Sequence, residues 1–524
     1  MNTSKSHKPP MKQFSCCPDQ GRNFPQHAPM SRRKFIKITG GSTLSVATLS
    51  GLSWPVLAGS PLKEQYGLVR RSLVVKPILV YSTPEYRPQA SWRAWGGIQT
   101  EEDADQEISR IQGELDELQS SADFPVEFLT PARIKGTGDI DGIRDLTSAD
   151  VFLIYAAGGW MDIFDVLHKM GKEMIFFCRH KSGPVYLWYE IISPRYLRQH
   201  TDHLAVSGIN ENDVIIDSQD EILWRLRALC GLKNTLDTGI ITIGGPGAWA
   251  QPKGVVPEKV REKFRFGIRT VSYEDLGDLI VEARKDQTAV RRAEQRAGEY
   301  LRDNSLTIET RRSFVNNCFL LEEVFRKIMD HASCRAITIN GCMSTIMPLA
   351  ETSACLTLSL LNDAGYLSFC ESDFVVIPAG ILLANISGQP VFLNDPTYPH
   401  DGIITLAHCT APRRMDGRNR EPARILTHFE SDYGAAPKVE MHRGQILTNI
   451  IPDFQVSRYI GLKGTILDHP FMDICRSQID VGYDVDSDIL AKRMHGFHWM
   501  TGYGDYLRET GYALRRLGIE WEQL

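Results

Sequence analysis

The chain has 524 residues, of which 42% are apolar and 23% are charged. This composition excludes a disordered or fibrous protein, and the length exceeds what one hydrophobic core holds, so we expect two or three folded domains. A formal net charge of −5 disfavours proteins that bind nucleic acid through its phosphates.

Residues 1–58 differ from the rest and are interpreted as a leader. Residues 30–37 (MSRRKFIK) contain paired arginines, and residues 38–58 are uncharged and rich in Gly, Ser and Thr. The pattern resembles a twin-arginine signal peptide, which predicts export of a folded protein to the periplasm. Its weak apolarity disfavours a stable membrane span, although an uncleaved anchor and a basic disordered arm are alternatives. Removing its eight Lys or Arg and one Asp changes the formal charge from −5 to −12, which favours a neutral or metal-bridged substrate.

Residues 59–236 are expected to form a first α/β domain. Apolar, β-branched runs predict strands at 73–81, 151–155 and 173–178. Apolar residues at helical spacing predict helices at 101–120 and 162–170. This alternation is typical of a Rossmann-like, doubly wound α/β domain.

Residues 237–333 predict a second α/β domain of the same kind. The predicted elements are a strand at 238–243, a helix at 256–264, a strand at 265–271 and one long helix at 273–300. The glycine-rich segment 244–247 (GGPG) lacks the spacing of either nucleotide-binding fingerprint. We interpret it as a strand-to-helix turn, with a phosphate site as the alternative, and predict no nucleotide.

Residues 334–524 predict a C-terminal α+β domain with a small antiparallel barrel. Its first part contains a strand at 336–340, helices at 354–363 and 374–386, and a strand at 391–393. Short strands then follow at 403–408, 425–429, 438–442, 445–451 and 459–467. Short strands divided by Gly, Pro and Asp favour a barrel.

The cysteines outside the leader are interpreted as buried free thiols. They number nine, which is odd, and include no CxxC pair. Most lie in apolar runs, where a thiol behaves as a small hydrophobe. Free thiols fit a protein that folds, and loads any metal, before export.

Two carboxylates flank the predicted helix and strand between residues 374 and 393. Glu371 precedes the helix and Asp395 follows the strand, so both are expected at the same end of one α/β unit. There they could share one ion. On spacing alone a structural interpretation stands beside this one, in which Glu371 or Asp373 caps the helix and Asp395 begins an Asp-Pro turn.

A shared ion would be a hard divalent cation. Carboxylate oxygens suit Mn²⁺ or Mg²⁺, and an added imidazole shifts the preference toward Mn²⁺ or Fe²⁺ over Ca²⁺. Histidines that could complete the site are His408, His495 and His498.

Four motifs occur in order between residues 356 and 506. They are 356–373 (LTLSLLNDAGYLSFCESD), 388–395 (GQPVFLND), 406–412 (LAHCTAP) and 495–506 (HGFHWMTGYGDY). Together they resemble the L-fucose isomerase-like family, which is related to L-arabinose isomerase. The N-terminal half is similar to that family in α/β layout only.

The resemblance implies N-terminal α/β domains, a C-terminal domain with a barrel, and a metal-dependent aldose–ketose isomerase that forms a homo-oligomer, a trimer or hexamer. In the family, a Glu and an Asp separated by 24 positions bind Mn²⁺ together with a late His, and Glu371 and Asp395 have that separation. The resemblance therefore implies that both are metal ligands and catalytic proton carriers. It implies His498 as the third ligand, with His495 as the fallback.

Aldose–ketose isomerisation needs a base for the C2 proton, an acid for the carbonyl oxygen and stabilisation of a cis-enediolate, and a chelated metal supplies the last. Which carboxylate is the base stays open because two acids at one cation titrate together. A hydride shift is the alternative route to the same product.

Further residues are expected to contact a small-molecule sugar. Trp499 is next to His498, His408 precedes Cys409 at the end of an apolar strand, and Arg93 lies between Trp92 and Trp95. Tryptophan rings can stack on a sugar, but single Trp residues more often pack, and His408 is as readily a core histidine. The alternative function is an exported sugar-binding or sensing protein that has kept the fold without catalysis.

Overall fold

The computed structural model describes residues 67–189 and 211–524. The predicted leader at 1–58 lies outside the described residues. In chain order the strands are β1 Leu73–Val80, β2 Val126–Phe128, β3 Ala132–Ile134, β4 Val151–Ala156, β5 Glu173–Cys178, β6 Val214–Ile216, β7 Gly239–Ile243, β8 Gly267–Val271, β9 Leu306–Ile308, β10 Ala336–Ile339, β11 Leu367–Phe369, β12 Phe392–Pro396, β13 Ile403–His408, β14 Ala423–His428, β15 Tyr433–Val439, β16 Ile446–Pro452, β17 Arg458–Asp468, β18 Ser477–Gly482, β19 Trp499–Tyr503 and β20 Glu520–Gln523.

The α-helices alternate with the strands in the first two thirds of the chain. In chain order they are α1 Glu101–Ser121, α2 Met161–His168, α3 Gln219–Thr235, α4 Val255–Phe264, α5 Tyr273–Lys285, α6 Gln287–Tyr300, α7 Arg312–His331, α8 Met347–Ala350, α9 Cys355–Asp363, α10 Ile377–Ser387, α11 Ser487–Arg493 and α12 Leu507–Arg516. The chain is therefore a mixed α/β protein, as the sequence predicts.

The first sheet contains strands β1 to β6 in the order β2-β1-β4-β5-β6, with β3 also paired to β1. Every pairing in it is parallel. Strand β4 is buried along its whole length, which is what parallel strands covered on both faces require. Thr100 and Asp103 form a capping box at the start of α1, which fixes where that charged helix begins.

The second sheet is also parallel and has the order β11-β10-β7-β8. The single helix predicted over 273–300 is two helices, α5 and α6. The break is at Asp286, whose carboxylate accepts hydrogen bonds from the backbone N–H groups of Thr288 and Ala289. The carboxylate thus ends one helix and caps the start of the next. The spacing of apolar residues does not predict such a cap, because it depends on a side-chain hydrogen bond to the backbone.

A closed antiparallel barrel of six strands forms most of the C-terminal part. Its order is β16-β19-β12-β13-β18-β17, and β17 pairs back to β16. Strand β20 extends the sheet by pairing in parallel with β17. The interior is filled by apolar side chains that include Ile404, Leu406, Ile460 and Trp499, so the barrel is a packed core.

Two strands predicted for the barrel belong elsewhere. Strand β14 covers most of the predicted 425–429 run, whereas β15 covers only the first two residues of the predicted 438–442 run. The two strands pair with each other, and β14 pairs with β9 in a separate three-stranded sheet. Their places in the barrel are taken by β12, β18 and β19. Alternating hydrophobicity predicts strands well but does not say which strands pair.

No single helix in the described ranges is long and apolar enough to cross a membrane. The bent pair Cys342–Ala350 and Cys355–Asp363 passes the same test by length and composition only.

Candidate metal centre

Glu371 is held in a strained loop after β11. Glu371 and Ser372 have positive φ angles of 63° and 47°, conformations that cost non-glycine residues on the order of 1–3 kcal/mol each and that cluster at functional sites. Two hydrogen bonds hold the loop: Ser372 N donates to Thr338 Oγ1 at 3.1 Å, and Gly247 N donates to the Ser372 carbonyl at 3.1 Å. The glycine-rich turn at 244–247 therefore supports this loop.

Three barrel strands bring the other predicted ligands to the same place. Asp395 lies in β12 and pairs with Ala407 of β13, whose last residue is His408. His498 directly precedes β19, which pairs with β12 on its other side. We call Glu371, Asp395, His408 and His498 the carboxylate–histidine cluster.

Asp395, His408 and His498 offer donor atoms within 4.8 Å of one another, close enough to hold one cation, and Glu371 approaches both histidines. His498 Nε2 lies 3.2 Å from Asp395 Oδ1 and 3.4 Å from Glu371 Oε2, and His408 Nε2 lies 3.7 Å from Glu371 Oε1. Two ligand atoms, each about 2.1 Å from a cation, lie about 3.0 Å apart at a right angle and about 3.4 Å apart at the tetrahedral angle. Both Nε2 atoms are buried and make no hydrogen bond within the described ranges. Mixed oxygen and nitrogen donors suit Mn²⁺, Fe²⁺ or Zn²⁺ better than Ca²⁺.

Both imidazoles are oriented through their other ring nitrogen. His498 Nδ1 donates to Asp373 Oδ2 at 2.7 Å, and His408 Nδ1 lies 3.0 Å from the Thr410 hydroxyl. Such contacts fix the tautomer and direction of a metal-ligating histidine. In each ring this leaves Nε2 directed at the carboxylates.

Asp373 does not cap a helix, contrary to the sequence interpretation. Helix α10 begins at Ile377, and the other carboxylate oxygen of Asp373 accepts hydrogen bonds from Val375 N at 3.1 Å and Trp249 N at 3.2 Å. These bonds lock the carboxylate against His498. The helix was predicted to start at 374, three residues too early, because residues 371–376 form the ligand loop.

Burial and charge act in opposite directions on the cluster. Burial disfavours ionised Glu371, but the facing His498 and His408 imidazoles outweigh it and lower the pKa of Glu371. Burial also disfavours cationic His498, yet Glu371, Asp373 and Asp395 together raise the pKa of His498 well above its usual range. The carboxylates therefore stabilise positive charge at the centre of the cluster.

Exposure defines the side from which a ligand can approach. The side chain of Asp395 is 21% exposed, that of Glu371 is 6% exposed, and that of His498 is fully buried. A molecule from solvent therefore meets Asp395 first. A site that is buried except at one open edge suits a bound cation, because the cation's open coordination positions then face the substrate.

The structure separates the predicted site residues into two groups. Glu371, Asp395, His498 and His408 come together as described, whereas His495, the fallback ligand, is half-buried outside the cluster. Among the predicted sugar contacts, Trp499 is fully buried in the apolar core of the barrel, a position that favours packing.

Arg93 lies in an exposed loop after β1. Its guanidinium carbon is 5.1 Å from the centroid of the Trp92 ring, and neighbouring Trp95 is 66% exposed. Arg93 is therefore placed in a solvent-facing loop of the first sheet, and its predicted contact with a sugar stays a prediction.

Two features of the site were missed by the sequence analysis. One is the hydrogen bond from His498 to Asp373, for which the only signal was the acidic pair in the Glu-Ser-Asp segment. The other is the stack of Trp249 on Phe497, with ring centroids 3.8 Å apart and planes at 4°. Phe497 also contacts the His498 ring edge-to-face, with centroids 4.8 Å apart. No local pattern links residues this far apart.

Comparison of the chain with protein-family models and with curated proteins found no match.

Proposed function

We propose that the protein is a metal-dependent aldose–ketose isomerase of the L-fucose/L-arabinose isomerase kind. The observation that carries the proposal is the convergence of Glu371, Asp395 and His498, whose donor atoms lie 3.2 to 3.4 Å apart at His498 Nε2. These are the three residues that the motif resemblance implies as ligands. The parallel sheets and closed barrel support the expected layout, including the proposal that the parallel sheets are Rossmann-like.

The reaction moves a carbonyl between C1 and C2 of a sugar. In the aldose-to-ketose direction a carboxylate removes the C2 proton and a cis-enediolate forms. A proton is then delivered to C1, and the O2 proton is transferred to O1, so atoms balance without an oxidant. A divalent cation, when bound, supplies Lewis-acid polarisation of the two oxygens.

The residues of the cluster and Asp373 have different proposed roles in this reaction. Glu371 is buried between two imidazoles that favour its ionised form, which is the form that binds a cation and accepts a proton. Asp395 faces the open edge, where it contacts substrate. Asp373 keeps His498 in the ligating orientation. We propose that Glu371 and Asp395 are the two proton carriers.

We also propose that the protein acts in the periplasm as a homo-oligomer. The paired arginines at 30–37 support export by the twin-arginine route to the periplasm. The family resemblance supports a homo-oligomer, a trimer or hexamer. The substrate is a small-molecule sugar rather than nucleic acid, in keeping with the negative net charge.

A turnover assay with matched variants tests the proposal. The Mn²⁺-loaded protein is incubated with fucose, arabinose, rhamnose and deoxy or sulfonated aldoses, and ketose is measured. We expect conversion of at least one sugar, and a fall of 10²-fold or more in Glu371→Gln and Asp395→Asn, in line with the usual contribution of an acid–base group. Asp401→Asn, whose side chain is 91% exposed in the turn before β13, is the control and should keep full rate.

Binding without turnover would favour the other function. Two ionised carboxylates directed at one point are unnecessary for holding a neutral sugar, and burying them costs free energy. If a sugar binds with a measurable heat but no ketose appears with Mn²⁺ present, the protein is a sugar-binding or sensing protein instead.

A further inference from the structure

We propose that the protein has a second metal site, rich in sulfur, behind the carboxylate–histidine cluster. It is formed by Cys355, Cys409 and His428, with Cys475 as the fourth ligand, and it takes a thiophilic divalent cation such as Zn²⁺. The two Sγ atoms and a ring nitrogen of His428 all lie within 4.8 Å of one another. Ligands around tetrahedral zinc have separations of about 3.3 to 3.8 Å, so small side-chain movements close this set on an ion.

The four side chains come from separate elements. Cys355 is the first residue of α9, Cys409 follows β13, His428 is the last residue of β14, and Cys475 lies between β17 and β18. Cys475 packs with Cys355 and Cys409 in one small buried cluster. No two ligands are near in sequence, so the chain lacks the short ligand spacing that identifies a zinc site. Taken one at a time, each cysteine looks like a small buried hydrophobic residue.

Cysteine is concentrated at this place. Nine cysteines lie in the described ranges and all are buried, and five of them line one cavity of about 20 Å³. A space of this size is close to that of one water molecule and suits an ion rather than a sugar. The five are Cys342, Cys355, Cys370, Cys409 and Cys475; His428, Glu371 and His408 also line the cavity, so it lies between the two proposed sites.

His428 is oriented in the way ligating histidines are. Its Nδ1 lies 3.1 Å from the Ser431 hydroxyl, which directs the ring, and its Nε2 lies 4.0 Å from Glu430 Oε2. The imidazole is buried. The hydroxyl at Nδ1 is the kind of supporting contact that fixes a metal-binding ring nitrogen on the opposite side.

The two proposed sites share a wall but differ in chemistry. His408 and Cys409 are consecutive, and His408 contributes to the first site while Cys409 contributes to the second. Oxygen and imidazole donors select Mn²⁺ or Fe²⁺, whereas thiolates select Zn²⁺ or another soft ion. Bound metal at the second site would tie α9, β13 and β14 together and so fix the strand end that carries His408.

Cobalt substitution tests this site directly. The full chain is reduced, stripped of metal and titrated with Co²⁺ under nitrogen, and its absorption spectrum is recorded. We expect intense thiolate-to-cobalt charge-transfer absorption whose final intensity corresponds to one thiolate-bound cobalt per chain, because cobalt at the carboxylate–histidine cluster adds no such band. X-ray absorption of the Zn²⁺-loaded protein should show sulfur ligands at about 2.3 Å. Zinc bound through only nitrogen and oxygen at about 2.0–2.1 Å would overturn the proposal.

Variants separate the two sites. Cys409→Ser and Cys355→Ser should lose the charge-transfer absorption, and Cys334→Ser, at a buried cysteine outside the cavity, should keep it. Glu371→Gln should also keep it, whether or not the protein is an isomerase. Absence of the absorption in the wild type would show that no thiolate site exists, and its persistence in the Cys355→Ser/Cys409→Ser double variant would show that the thiolate ligands are not Cys355 and Cys409; either result overturns the proposal. The wild-type spectrum decides the question even if a variant fails to fold.

Discussion

Asp373 Oδ2 accepts a hydrogen bond from His498 Nδ1 at 2.7 Å, and both side chains are buried. The bond fixes the imidazole so that its Nε2 lies 3.2 Å from Asp395 Oδ1 and 3.4 Å from Glu371 Oε2. Asp373 is itself held by the backbone N–H groups of Val375 and Trp249. Asp373 is therefore a positioning residue that sets the geometry of the proposed metal centre.

Asp373→Asn is expected to weaken Mn²⁺ binding by about 10- to 100-fold, which is the usual effect of losing a partner of a ligating histidine. An amide has one acceptor oxygen, so it cannot serve both the backbone donors and His498. Isothermal titration of the metal-free protein with Mn²⁺ measures the change.

The control for this variant is Asp480→Asn. Asp480 is a barrel carboxylate that accepts a hydrogen bond from the Thr405 hydroxyl at 2.6 Å, outside the cluster. It should bind Mn²⁺ with unchanged affinity. Equal Mn²⁺ affinity in Asp373→Asn and the wild type would contradict the positioning role.

Mn²⁺ is expected to stabilise the folded protein, and chelation to reverse the effect. A ligand that binds only the native state at 100 times its Kd adds about 2.7 kcal/mol to the free energy of unfolding. Thermal melts with Mn²⁺ and with EDTA measure the shift in Tm. In Glu371→Gln the shift should nearly vanish, because one of the two cluster carboxylates is lost; an undiminished shift would place the ion elsewhere.

Trp499 is expected to act through packing. Trp499→Ala should lower the free energy of unfolding by about 3–5 kcal/mol, because it leaves a large cavity in the barrel core. Trp499→Phe should cost less and leave KM for the sugar within about twofold of the wild type. Urea unfolding and steady-state kinetics check both. A KM that rises tenfold in Trp499→Phe without lost stability would restore the sugar-stacking role.

Glu221 is expected to contribute stability that depends on pH. Burial raises its pKa, but Arg225 and Arg508 outweigh burial and lower the pKa of Glu221 to about 2. Since the pKa is lower in the folded state, the contribution is present above about pH 4 and is lost as the pH falls toward 2. Glu221→Gln should therefore lower stability at pH 7 by at most about 1 kcal/mol, because the pair is partly exposed.

Denaturant unfolding of Glu221→Gln and the wild type at several pH values measures this difference. The control is Glu258→Gln in α4. The exposed Glu258 carboxylate pairs with Arg261, one turn later in α4. A difference between Glu221→Gln and the wild type that stays constant from pH 7 to 3 would contradict the ion-pair explanation.

The strands were largely predictable from the sequence because buried parallel strands are continuous apolar runs. Residues 73–81 and 173–178 were predicted as strands and correspond to β1 and β5. Strand partners were not predictable: β14 and β15 lie outside the barrel, in a sheet of the order β15-β14-β9. Such pairing depends on contacts between distant segments, which periodicity does not contain.

The candidate site divides in the same way. Glu371, Asp395 and His498 were predicted from the motifs, because the order and spacing of those motifs along the chain resemble the family's. The hydrogen bond of Asp373 to His498, and the grouping of Cys355 with Cys409 and His428, exist only after folding. From the sequence, Asp373 was interpreted as a helix cap and the cysteines as buried thiols. Each of these residues fits such an ordinary local role, so nothing in the sequence links them to distant residues.

Proton NMR in D₂O distinguishes an isomerase from a sugar-binding protein. The Mn²⁺-loaded protein is incubated with the panel of aldoses, and a chelated sample serves as the control. We expect a ketose from at least one aldose, deuterium at C2 of the recovered aldose, and loss of both signals on chelation. No ketose and no deuterium exchange from any aldose, with Mn²⁺ bound at Glu371 and Asp395, would contradict the isomerase.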